Sequence, residues 1–233
     1  MSKGIFITAT GTDIGKTYVT ALIVKKLHDA GINAGYYKAA LSGAEYIDGR
    51  LVPGDADYVK RVSGINQSLE SMVSYVYENA VSPHLAARIE GNPVEEYKVL
   101  EDFKAVCGKH DFVTAEGSGG IVCPIRFDGT KKIFLEDIIK LLGLDTLVVA
   151  DGGLGTINSA VTTCGYIRSR GIAVRGIILN NYDPESEMHR DNKAMIEQIT
   201  KIPVIAEVKA GDRELDIDAE VLKAYFSVPK CHW

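Results

Sequence analysis

Short apolar runs alternate along this chain with longer stretches in which apolar residues return every third or fourth position. The runs at 5–7, 33–38, 71–76, 111–115, 146–150, 174–179 and 203–207 have strand length. TLVVA at 146–150 is apolar throughout, as a strand covered on both faces requires. Between the runs lie helical patterns. Val19, Leu22, Ile23, Leu27 and Ala30 share one face of a helix that Gly31 closes. Ser82 and Pro83 suit the N-cap and first turn of another, which stops at Gly91. Further helices are predicted at 94–107, 133–142, 187–200 and 219–225, with a short one beginning at 58–62. DGGLGTIN at 151–158 is a glycine-rich turn opening a helix that runs to position 170. Stretches 39–57 and 121–132 read as loops, and the first is long enough to be functional. Strand and helix alternate without an internal repeat. This predicts one α/β domain over 1–228, a doubly wound, mainly parallel sheet with helices on both faces, and a short mobile tail at 229–233.

Ligands of such sheets sit at the carboxyl ends of the strands, and every conspicuous polar cluster of this chain falls there. GIFITATGTDIGKTY at 4–18 is an apolar strand, a glycine-bearing turn and a Lys-Thr pair opening a helix. That order makes a phosphate-binding loop. Successive backbone N–H groups at Asp13, Ile14 and Gly15 and the positive helix end favour an anion. Lys16 adds a mobile cation, and the Thr17 hydroxyl can hold Mg²⁺. The spacing departs from the strict pattern, because Thr10 stands where its first glycine is expected and Gly11 follows one residue late.

Other polar groups would face the same cleft. Lys38 ends the second strand, and Ser42, Asp55 and Asp57 lie in the loop after it. Two lysines near one anion would stabilise a crowded phosphate and developing negative charge. Thr17, Asp55 and a strand-end carboxylate would make a hard oxygen set for Mg²⁺. Glu116 and Asp151 both end apolar strands, and the pattern alone does not separate them. Asn180-Asn181 offers amides suited to an adenine edge. His84 reads as structural.

Composition narrows the function. Of 233 residues, 46% are hydrophobic and the net charge is −5, which argues against nonspecific nucleic-acid binding. No apolar run reaches membrane-spanning length, and MSKGIFITAT leads straight into a strand, which predicts no leader peptide and a cytoplasmic protein. Cys107, Cys123, Cys164 and Cys231 form no C-x-x-C pair and read as reduced thiols.

With these residues in hand, the chain resembles the dethiobiotin synthetase family over nearly its whole length. The marks are GTDIGKT at 11–17, YKAALSG at 37–43, GDAD at 54–57, SPHLAAR at 82–88, EGSGG at 116–120, LGTIN at 154–158 and NN at 180–181. Gly-Lys-Thr alone is unspecific; its combination with Lys-x-x-x-Ser-Gly and Glu-Gly-x-Gly-Gly is specific. The family's proline after the strand-two lysine is Ala39 here, and VKAG at 208–211 stands where a proline-containing adenine-contact segment is expected. The missing early glycine is itself family-like.

The resemblance implies a P-loop nucleotide-hydrolase-like fold and an ATP- and Mg²⁺-dependent cyclo-ligase. Its substrates would be 7,8-diaminononanoate, CO₂ or bicarbonate, and ATP. It implies Lys16 and Lys38 as the catalytic cations and Thr17, Asp55 and Glu116 as the Mg²⁺ ligands, which settles the choice of carboxylate. Gly117, Ser118 and Gly119 join the ATP site with Asn180 and Asn181, and Thr12 and Ser42 contact the diamine or carbamate. The family is a homodimer, so Asn158 and its neighbouring amides would hold the substrate carboxylate for the partner subunit. Two rivals fit less well. A regulatory, dimerising P-loop ATPase of the partitioning type carries a lysine where this chain has Gly11, and an amidating ligase needs a glutaminase domain for which there is no room.

Overall fold

The computed structural model describes residues 1–230. The chain opens with β1 (Lys3–Ala9), α1 (Lys16–Asp29) and β2 (Ala34–Ser42), then a hairpin of β3 (Glu45–Ile47) and β4 (Arg50–Val52). There follow α2 (Gly54–Ser63), α3 (Leu69–Met72), β5 (Val73–Tyr77), α4 (Pro83–Ile89), α5 (Glu96–Cys107) and β6 (Phe112–Glu116). A second hairpin, β7 (Pro124–Phe127) with β8 (Lys132–Phe134), leads into α6 (Leu135–Leu142), β9 (Thr146–Asp151) and α7 (Thr156–Ser169). The last elements are β10 (Val174–Asn180), α8 (Glu187–Thr200), β11 (Val204–Val208) and α9 (Ala219–Lys223).

Seven strands form one sheet in the order β11-β10-β9-β1-β6-β2-β5, and each neighbouring pair runs parallel. The expected doubly wound architecture is present. Its two faces bury separate cores, because alternate residues of a strand point to opposite sides. In β1, Phe6 joins the core with α5 to α8, whereas Ile5 and Ile7 join the core with α1, α2 and α9. Helix α1 is more deeply buried than one amphipathic stripe would suggest. Thr20, Ala21 and Val24 are buried along with Val19, Leu22, Ile23 and Leu27, since α2 packs against α1 in addition to the sheet, while Ala30 lies past the helix and is exposed. Each large apolar side chain buried here contributes about 1.5–3 kcal/mol before chain entropy is set against it.

Strand register places the chemistry. Lys38 lies beside Glu116 on the neighbouring strand, and Glu116 lies beside Ile7 on the next. Tyr36 lies beside Thr114 in the same way. Period-two alternation puts Tyr36 and Lys38, and Thr114 and Glu116, on the face that carries α1.

Several sequence expectations need correction. The predicted loop at 39–57 is mostly ordered structure. Ala40, Leu41 and Ser42 extend β2 by pairing with Tyr75, Val76 and Tyr77, and an Asp48-Gly49 turn closes the first hairpin. Asp55 and Asp57 therefore sit in the first turn of α2, which begins before the predicted start at 58. Residues 121–132 contain β7, and the predicted helix at 133–142 begins only at Leu135, where the Phe134 N–H donates to Asp137 Oδ2 at 2.9 Å. A single helical turn precedes β5, and α5 starts two residues later than the pattern suggested. At the C-terminal end, Lys230 N–H donates to the Gly143 carbonyl and its ammonium pairs with Asp145, while 231–233 of the expected tail lie outside the described residues.

Candidate active site

The phosphate loop joins β1 to α1. Gly15 adopts φ 86°, a left-handed conformation that glycine tolerates best, and its carbonyl accepts the first helical hydrogen bond from Val19 at 3.0 Å. There is a second reason for glycine here. Asn180, at the carboxyl end of β10, donates Nδ2 to the Ile14 carbonyl at 2.8 Å. A Cβ on residue 15 would stand 2.1 Å from that nitrogen. Gly15→Ala should therefore displace Asn180 and distort the loop. We expect nucleotide affinity to fall at least tenfold, measured by calorimetric titration, with a smaller loss in melting temperature.

Beneath the loop, a charged cluster is assembled from four elements, α1, β2, α2 and β6. Lys38 Nζ donates to Asp55 Oδ2 at 2.6 Å and to Glu116 Oε1 at 2.9 Å. Thr17 Oγ1 also donates to Glu116 Oε1, at 2.8 Å, and Lys16 Nζ lies 3.9 Å from that oxygen. Glu116 and Lys38 are buried, whereas the Asp55 side chain is 39% exposed. Burial alone would lower the Lys38 ammonium, but the charges of Glu116 and Asp55 and its bonds to them outweigh this and raise its pKa. Asp55 shows the mirror case: burial pushes its carboxyl up, and the adjacent Lys38 ammonium brings it below the usual range. Lys16 has no such close pairing. Its burial, reinforced by repulsion from Lys38, lowers its pKa below that of a free lysine.

Above the cluster opens a cavity of about 520 Å³ lined by Thr12, Asp13, Gly15, Lys16, Thr17, Lys38, Leu41, Ser42, Asp55, Ser118 and Gly119. Most of the sequence-predicted site is thus in one place. Other candidates lie around it. Gly117 is packed in the wall, where a Cβ would meet Leu135 at 2.8 Å, and Ser118 Oγ donates to the Ala40 carbonyl at 2.6 Å. Asn180 supports the loop from behind. Asn181 turns to Asp151, donating Nδ2 to Oδ2 at 2.8 Å, while Asp151 Oδ1 accepts from Gly153 N–H at 2.7 Å. Asp151 thus holds two turns together and does not line the cavity. Asn158, in the first turn of α7, is exposed and outside this cavity. His84 pairs with Ser82 Oγ at 3.0 Å, also outside it. A larger cavity of about 770 Å³ beside β11 and 209–216 shares no lining residue with the phosphate cavity.

The donor set suits Mg²⁺. Thr17, Asp55 and Glu116 supply oxygen only, and a Mg²⁺ that keeps waters and phosphate oxygens needs no more than one or two carboxylates. Among the described residues no group of three or more His, Cys, Asp and Glu gathers to hold a metal unaided. Sequence reasoning missed one member of the cluster, Tyr36, whose phenol donates to Glu116 Oε2 at 3.2 Å. Its signal was available, since Tyr36 stands two residues before Lys38 on the same strand face.

Comparison with known proteins shows the family and the fold. The model of an AAA domain family matches residues 3–213. ATP-dependent dethiobiotin synthetase BioD of Clostridium botulinum (strain 657 / Type Ba4) is 53% identical over 226 residues, covering 97% of this chain and 99% of that protein. The chain belongs to the dethiobiotin synthetase family. The synthetase of the same name from Brachyspira hyodysenteriae is 54% identical over 216 residues, covering 93% and 96% of the two chains. As a family member it is an ATP-dependent cyclo-ligase of biotin biosynthesis. Solved structures agree on the fold. The septum site-determining protein MinD of Pyrococcus horikoshii, complexed with Mg-ADP, superposes with a TM-score of 0.56 at 19% identity, covering 90% of this chain and 82% of that one. A ParA family ATPase from Chlorobium tepidum gives 0.54 at 14%, covering 91% and 84%. These likenesses concern the P-loop fold alone.

Proposed function

We propose that this synthetase closes the ureido ring of dethiobiotin from 7,8-diaminononanoate, CO₂ and ATP through a carbamate and a carbamic-phosphoric anhydride. One observation carries the assignment: Lys38 is fixed between Asp55 and Glu116 in a cavity whose rim is the phosphate loop. One substrate amine attacks CO₂, forms a C–N bond, loses a proton and becomes a carbamate. A carbamate oxygen then attacks the γ-phosphorus, and ADP departs with the electrons of the broken P–O bond. The second amine attacks the carbamoyl carbon, loses a proton and displaces phosphate as the ring closes.

The protein's part is positioning and charge. Lys16 and Lys38 offset the crowded phosphoryl and carbamate oxygens, while the loop amides of Asp13, Ile14 and Gly15 orient the phosphates. Thr12 and Ser42, which line the same cavity, hold the diamine or carbamate. Thr17, Asp55 and Glu116 would hold Mg²⁺, which when bound supplies charge neutralisation at the phosphates. Among the described residues the buried Asn180 Oδ1 atom has no hydrogen-bond partner, which supports a role as acceptor for the adenine amine. Asn158 and the first amides of α7 would take the substrate carboxylate of a second subunit in a homodimer. The exposed Leu154 beside them suits such an interface.

A cytoplasmic ligase is the corresponding setting. A regulatory ATPase is disfavoured by Gly11 at the position of its signature lysine. The test is product formation. ATP turnover should require both the diamine and bicarbonate and yield dethiobiotin in step with phosphate. ATP hydrolysis at the same rate with and without the diamine would defeat the assignment.

A further inference from the structure

Glu116 is held asymmetrically. Its Oε1 atom takes bonds from Thr17 and Lys38 and lies near Lys16, all of which border the phosphate cavity. Its Oε2 atom points into the protein, where, among the described residues, the Tyr36 phenol is the donor that meets it, at 3.2 Å. Tyr36 is fully buried. Its own backbone is gripped by buried Gln67: Tyr36 N–H donates to Oε1 at 2.9 Å, and Gln67 Nε2 donates to the Tyr36 carbonyl at 3.0 Å. Recorded β2–β5 pairing begins at Lys38, so the Gln67 amide takes the place of a neighbouring strand at Tyr36. The result is a chain of contacts from Gln67 through Tyr36 to buried Glu116, which meets the nucleotide cavity through its donors Thr17 and Lys38.

We propose that Tyr36 is the positioning residue of Glu116, fixing its inner oxygen so that the outer one is presented to the metal-bound nucleotide. The inference rests on Glu116 serving the Mg²⁺-nucleotide site, as read above. A carboxylate with one anchored oxygen has a defined direction; without the anchor it can rotate to give both oxygens to Lys38 and Lys16. Groups that orient ligands in this way typically change metal affinity 10–100-fold when removed.

The experiment compares parent, Tyr36→Phe and Glu116→Gln by titration calorimetry with ATP, in EDTA and in excess Mg²⁺. For Tyr36→Phe we expect metal-free ATP affinity within about twofold of the parent, a melting temperature lowered by a few degrees because Glu116 Oε2 loses its donor, and a Mg²⁺-dependent gain in affinity reduced about tenfold. An unchanged gain in Tyr36→Phe, with the gain lost in Glu116→Gln, would overturn the role of Tyr36 and leave the site reading intact. An unchanged gain in Glu116→Gln would overturn both. If Tyr36→Phe fails to fold, Tyr36→Met, a flexible filler without a donor, carries the same comparison and the same outcomes.

Discussion

Replacing Lys38 by glutamine should reduce dethiobiotin formation by about three to five powers of ten, the range seen when a cation at a phosphoryl-transfer site is removed. Nucleotide should still bind, within about tenfold of the parent, because the loop amides, Lys16 and Thr17 remain. The physical reason is local. Lys38 is the ammonium bonded to both carboxylates of the cluster. Without it, Asp55 and Glu116 face the incoming phosphate with Lys16 alone to offset them, and Lys16 lies 3.9 Å from the nearer carboxylate oxygen. The same loss leaves buried charge uncompensated, which costs on the order of 3–5 kcal/mol when a buried pair is broken. Thermal melting must therefore accompany the kinetics. Single-turnover measurement on folded Lys38→Gln protein decides the matter, and turnover near the parent rate would remove Lys38 from the chemistry.

Glu116→Gln should be the second most damaging change, lowering turnover by about 10²–10³-fold, and Asp151→Asn should stay within about threefold. The carboxylates occupy equivalent strand ends but have different surroundings. Glu116 is bonded to Lys38, Thr17 and Tyr36. Asp151 is occupied by Gly153 N–H and Asn181. A glutamine at 116 keeps the volume but loses the charge, and its NH₂ group would face Lys38 or the Tyr36 phenol as donor to donor. An asparagine at 151 still offers a carbonyl to Gly153. The loss for Glu116→Gln corresponds to about 3–4 kcal/mol of transition-state stabilisation. Titrating activity against Mg²⁺ for both variants tests it. If Asp151→Asn showed the greater Mg²⁺ requirement, the metal carboxylate would be Asp151.

How far the sequence reveals this depends on the kind of pattern involved. Parallel strands covered on both faces are continuous apolar runs, so 146–150 and 174–179 declare themselves. The phosphate loop is equally plain, because strand, glycine turn and Lys-Thr are contiguous. What stays hidden is set by partners distant in sequence. Ala39 to Ser42 look like the start of a loop, yet pairing with β5 makes them strand. Asp55 reads as a loop carboxylate, and only the hairpin before it shows why it arrives at Lys38 on the first turn of a helix. The choice between Glu116 and Asp151 is invisible to periodicity, since both end apolar strands. Register separates their surroundings by setting Lys38 beside Glu116. Tyr36 was legible as a strand residue but not as a donor, because its partner is 80 residues away.

The bond from Asn180 to the Ile14 carbonyl ties the phosphate loop to β10, two strands away from β1 in the sheet. A loop braced in this way has little freedom left to lose when phosphate arrives, so nucleotide capture draws on a surface already formed and incurs little ordering entropy. Selection then works by rejection: an anion that does not fit the preset curve of amides gains little from the loop yielding to it.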